Sequence, residues 1–167
     1  MGHKKLKSAF TIAELLLALA LTALLLAAVA VAFNASIKNY TENEEIFKTM
    51  NGARQAILRI TTHLRTANTV DPNSPANECT LITSTGQNIT YRYNNTDKKL
   101  YLITNDDLSD SDYLLCNNVT AMNFKKDTGV ENGNTYVKSI QIVMTVGSGD
   151  ARQTVSSAAT IRKNLKR

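Results

Sequence analysis

Three hydrophobic patterns follow one another along the chain. From Phe10 to Phe33 the residues are almost all apolar, FTIAELLLALALTALLLAAVAVAF, and Glu14 is the one charge. As a helix at about 1.5 Å per residue this run is roughly 36 Å long, against about 30 Å for a bilayer's hydrocarbon core. It predicts a transmembrane helix. Beyond it the apolar residues space out. Ile37, Tyr40, Phe47, Met50, Ile57, Ile60, Leu64 and Ala67 recur mostly at helical intervals. Lys38, Glu42, Glu45, Lys48, Arg54, Arg59 and Arg65 fill the other face. The helix is therefore expected to continue, amphipathic, to about residue 69. Gly52 is expected to soften it, at about 1 kcal/mol relative to Ala. Asp71-Pro72-Asn73-Ser74-Pro75 ends it.

From residue 79 the period changes to two. CTLITS (79–84), NITYRYN (88–94), KLYLIT (99–104), VTAMNF (119–124), YVKSIQIVMTV (136–146) and RQTVSSAATI (152–161) read as strands. Turns are expected at Asn94–Lys98, Gly129–Gly133 and Gly147–Asp150. Short connections imply antiparallel neighbours. A stripe like that of 37–67 also suits a coiled coil, but a sheet needs a cover, so packing on the chain's own sheet is preferred. The expected class is α+β: one long N-terminal helix on an antiparallel β-sheet. The segments are 1–9, a short head; 10–33, the apolar helix; 34–70, its amphipathic continuation; and 71–167, the sheet region.

Composition changes this picture in two places. The 167 residues carry 19 Lys+Arg against 14 Asp+Glu, a net charge of +5. Lys4, Lys5 and Lys7 precede the apolar run, and Arg162, Lys163, Lys166 and Arg167 end the chain. Without those seven the acidic residues outnumber the basic, so the folded part has no basic footprint for nucleic acid. By the positive-inside rule, the three lysines place the N-terminus in the cytoplasm and residues 34–167 outside. A secretory signal cut near Ala30–Ala32 is the plainer alternative, but its apolar region is ordinarily about 7–15 residues long. N-myristoylation is excluded, because the sixth residue is Leu6 rather than Ser or Thr.

Glu14 is the odd residue. A carboxylate at the centre of a membrane helix costs about 2.5–3.5 kcal/mol, less near the interface. It either snorkels to the headgroups or awaits a cation. The stretch Lys7-Ser8-Ala9-Phe10-Thr11-Ile12-Ala13-Glu14 resembles the class III signal of type IV pilins and pseudopilins. The resemblance implies cleavage by a prepilin peptidase between Ala9 and Phe10, N-methylation of Phe10, and Glu14 as the fifth residue of the processed chain. The family usually has Gly where this chain has Ala9. The new amine at Phe10 of one subunit would pair with Glu14 of its neighbour, each charge favouring the other in low dielectric. The order of ITYRYNNTDKKLYLI, YLLCNNVTAMNF, SIQIVMTV and SSAATIRKNL is similar to PilW-type minor pilins and to J-type minor pseudopilins of type II secretion. Major pilins often carry Pro in the first helix and a Cys pair near the C-terminus; this chain has neither.

The resemblance implies a pilin-like fold and a structural subunit of a type IV pilus, type II secretion or competence filament. Implied partners are other pilin or pseudopilin subunits, the prepilin peptidase and the inner-membrane assembly platform. The implied location is the cytoplasmic membrane, single-pass, then the pilus or pseudopilus. A membrane-anchored extracytoplasmic binding module and the major pilin of the system are the alternatives.

The remaining candidates are weaker. Cys79 and Cys116 would lie outside the cytoplasm, where disulfides persist. A bridge between them is expected and would contribute about 3–4 kcal/mol; two free thiols are the alternative. Asp106, Asp107, Asp110 and Asp112 offer oxygens that suit calcium, but the D-x-[DN]-x-[DN]-G spacing is absent and a solvated loop is the ordinary meaning of such a run. Arg162, Lys163, Lys166 and Arg167 could touch lipid, an acidic neighbour or DNA, although a frayed terminus is commoner. His63 reads as a surface or packing residue. No nucleophile–base pair, phosphate loop or HExxH occurs, so neither enzyme activity nor a cofactor is expected.

Overall fold

The computed structural model describes residues 11–107, 109, 112–131, 133–148 and 151–164. The chain divides into two units, residues 1–41 and 42–167. Helix α1 covers Ile12–Thr66 and is unbroken at Gly52. It ends three residues before the expected boundary. There the amide of Ala67 closes a tight last turn on the carbonyl of Leu64, and that of Asn68 turns to the carbonyl of Ile82 in the sheet.

In the first unit α1 is exposed along its whole described length, and from Ile12 to Phe33 it is apolar except for Glu14 and Thr22. Ile12, Phe33 and the leucines from Leu15 to Leu26 are each more than half exposed. Thr22 and Ser36 return their hydroxyls to the carbonyls four residues back, at 2.7 and 3.0 Å. This satisfies both hydroxyls within the helix itself.

In the second unit the seam of α1 is Ala53, Ala56, Ile57, Ile60 and Leu64, followed by Ala67, all buried. The stripe is thus narrower than its sequence suggests, because Ile37, Tyr40 and Phe47 remain exposed. Eight strands follow: β1 (Thr69–Val70), β2 (Glu78–Ile82), β3 (Asn88–Asn94), β4 (Lys99–Thr104), β5 (Tyr113–Cys116), β6 (Val119–Glu131), β7 (Asn134–Ser148) and β8 (Ala151–Thr160). A short 3-10 helix, Arg162–Asn164, comes last. The strands form two antiparallel sheets where one was expected, ordered β1-β2-β3-β4-β5 and β6-β7-β8.

Alternation sets the core. Cys79 and Leu81 of β2, Ile89, Tyr91 and Tyr93 of β3, and Leu100 and Leu102 of β4 are buried together with Ile140, Ile142, Met144 and Val146 of β7. The register shifts between Asp127 and Thr128, whose partners are Ser139 and Val137, so Lys138 is an extra residue in β7. That bulge lets Val137 share the buried face with Ile140, three positions on. Gly129, expected in a turn, lies inside β6. The turn belongs to Gly133, whose φ of +77° favours glycine.

The segment before β2 stitches the two sheets together. The Phe124 amide donates to the Ala76 carbonyl at 2.8 Å. The Lys126 ammonium donates to the carbonyls of Ser74 at 2.5 Å and of Pro75 and Glu78 at 3.3 Å each. Burial lowers the Lys126 pKa, and the nearby Cys79, Asp71 and Glu78 oppose that shift.

Candidate functional site

The first described residues form a built N-terminus. Thr11 precedes the first helical residue, and Glu14 stands three positions after it. Glu14 Oε2 accepts from the Thr11 amide at 2.9 Å and from Thr11 Oγ1 at 3.0 Å. The Glu14 amide in turn reaches Thr11 Oγ1 at 3.3 Å. This is a capping box, in which two side chains reciprocally satisfy amides that a helix start leaves open. It begins α1 one residue after the Phe10–Thr11 bond. Both donors converge on Oε2, and among the described residues Oε1 accepts no hydrogen bond. Ala9 and Phe10, the expected cleavage and methylation positions, lie outside the described residues.

Behind this terminus α1 holds an 18-residue window of mean hydropathy 2.8, none of it buried. It is long and apolar enough to span a membrane. At about 25 cal/mol per Å² of apolar area, leaving so many leucines in water is strongly unfavourable. The segment calls for lipid or protein around it.

The cysteines are not joined. Cys79 lies on β2 and Cys116 on β5, both buried and both free. Strands β3 and β4 lie between them. Three strand spacings of about 4.8 Å separate β2 from β5, whereas a bridge needs Cα atoms within about 7 Å. The expected disulfide is therefore corrected to two thiols. Burial pushes Cys79 up to about 12 and Cys116 up to about 11. Both stay protonated and unreactive near neutral pH.

The acidic run is only partly described, and Asp110 lies outside it. Asp106 Oδ2 accepts from the Asn88 amide at 2.6 Å, and Asp107 Oδ1 accepts from the amide and hydroxyl of Ser109. Asp112 is exposed. Among the described residues no three metal-ligating side chains come together. Of the basic tail, Arg162 and Lys163 form the closing 3-10 turn, and Lys163 Nζ donates to Asn68 Oδ1. Lys166 and Arg167 lie outside the described residues.

His63 is half-buried on α1, and its Nδ1 pairs with the Tyr91 hydroxyl at 2.7 Å. Burial holds its pKa below the ordinary histidine value, and the Arg59 charge adds to this. Arg59, one turn earlier, lies over the Tyr113 ring, 5.4 Å from its centroid. Neither Arg59 nor Tyr113 stands out as a site residue in the sequence. Their only sequence-level signal is the i, i+4 spacing of Arg59 and His63; the aromatic rings they meet come from two different strands.

Set against known proteins, the chain matches no family model, no curated protein and no solved structure.

Proposed function

We propose that this chain is a structural minor subunit of a type IV filament, whether pilus, type II secretion pseudopilus or competence filament. It is processed between Ala9 and Phe10, methylated at Phe10 and assembled through α1. The observation that carries the reading is the Thr11–Glu14 capping box at the head of a helix whose apolar first part is wholly exposed. Both of its residues lie after the proposed cut, so processing leaves this cap in the chain. The cut frees an amine at Phe10, next to the cap residue. Oε2 of Glu14 is occupied by its own Thr11, and Oε1, which accepts no hydrogen bond among the described residues, would take a cation from another subunit. Apolar cover is supplied first by the bilayer, with the N-terminus in the cytoplasm, and then by neighbouring helices. The sheet region faces outward.

Intact mass and N-terminal sequencing of the protein from its membrane, with and without prepilin peptidase, test this. The expected product starts at N-methylated Phe10 only when the peptidase is present. A retained head, or a cut near residues 30–33, overturns the reading. The exposure of α1 suits a single-pass anchored binding module equally well. That reading is distinguished by Glu14→Ala, which would leave an anchor working but stop assembly.

A further inference from the structure

Beside the sheet-facing side of α1 lies a cavity of about 280 Å³. Arg59 and His63 approach it from the helix, Leu102 and Thr104 from β4, Tyr113 from β5, and Gln87 from the turn before β3. It is slightly smaller than the roughly 300–1,000 Å³ that drug-sized ligands occupy, and it combines apolar walls with a few polar groups.

Three features give the cavity a chemical preference. Arg59 is held by the Tyr113 ring, and among the described residues it pairs with no carboxylate. A guanidinium pinned over an aromatic face keeps its N–H edge open for a planar, two-oxygen acceptor. The Gln87 main-chain amide donates to Thr83 Oγ1, and the side chains of Gln87 and Thr104 line the cavity with a carboxamide and a hydroxyl that can donate to such an acceptor. Asp106, which follows Thr104 by two residues, already accepts from the Asn88 amide. Leu102 and the Tyr113 ring supply an apolar wall.

We propose that this cavity binds the carboxylate of a small, partly apolar acid, with Arg59 as its anchor. The carboxylate lies in the guanidinium plane, Gln87 and Thr104 bond its outer edge, and the hydrocarbon part rests on Leu102 and Tyr113. The acid is either a free organic acid or an acidic residue presented by another polypeptide. All the residues lining this cavity lie in the second unit.

The test is NMR titration of the full chain in detergent micelles with three probes: isovalerate, its neutral isostere isovaleramide, and a short capped peptide with one Asp beside Leu. Isovalerate is expected to shift the Arg59 Nε–H and Tyr113 ring signals, and isovaleramide is not. Arg59→Gln and Arg59→Met are each expected to weaken binding about tenfold or more, the loss of a charge-assisted pair, with unchanged melting temperature. A response to the peptide without one to isovalerate supports the site and assigns the carboxylate to a polypeptide. Equal response to isovaleramide, no response to either acid at millimolar concentration, or unchanged affinity in both Arg59 variants overturns the proposal.

Discussion

Lys126 gives the sharpest test of how the two sheets are held together. Its ammonium donates to three main-chain carbonyls, but the bonds are unequal. The one to Ser74 is 2.5 Å, and those to Pro75 and Glu78 are 3.3 Å. A hydrogen bond to a charged group contributes about 1.5–3 kcal/mol net. The two long bonds lie beyond the usual N–H···O range, so they add little. Lys126→Met keeps most of the aliphatic stem and removes the charge, and is therefore expected to cost about 2 kcal/mol. With a urea slope of about 1–3 kcal/mol per M, the midpoint of the full chain in micelles falls by about 1 M. Far-UV circular dichroism follows the transition, and hydrogen exchange of residues 71–78 localises it. Lys126→Arg is expected to fall between the two, because a planar fork cannot gather three carbonyls at one point. A midpoint that moves by less than about a quarter of this, with exchange at 71–78 unchanged, would refute the stitch.

The other expectations are these. Ile60→Ala empties a fully buried position in the α1 seam and is expected to cost about 2–5 kcal/mol, read by thermal or urea denaturation. His63 is held below its ordinary value of about 6.5, so its contribution is complete above that value and is lost as pH falls through the lower folded one. The melting temperature should drop on mild acidification, and less so in His63→Gln. Cys79 and Cys116 should resist maleimide in the folded chain, and both should label in urea with no reductant added. Labelling of neither thiol in urea would restore the bridge.

The sequence was legible where one face of an element is buried. Strands β3 and β4 have the ends that alternation gives them, because Ile89, Tyr91, Tyr93, Leu100 and Leu102 go inward. Strand β5 escaped notice because Tyr113-Leu114-Leu115-Cys116 is a short apolar run with no alternation. The extension of β6 through Lys125–Glu131 escaped for the opposite reason: Val130 is 72% exposed, its neighbours are polar, and neither face is clearly buried. Alternation also cannot say which strands pair, so two sheets read as one. The capping box was visible as Thr11 and Glu14, but its geometry was not. The Arg59 cavity depends on residues that the fold brings together from a helix, three strands and a turn, and no local spacing announces that.

The pairing order bears on how the chain reaches this state. Within each sheet every strand pairs with its neighbour in sequence, so both sheets are meanders that can zip from local contacts. The α1 seam is different. Ala53, Ile57, Ile60 and Leu64 are made first, yet the core they share runs on to Ile161. At about 5–20 residues per second, the roughly 100 residues still to be synthesised leave that seam incompletely covered for on the order of 5–20 s. Over that interval the seam has only part of its core to bury against, first the residues from Val70 to Cys116 and then those from Val119 to Ile161. The last strand, rather than the helix, sets when that core is complete.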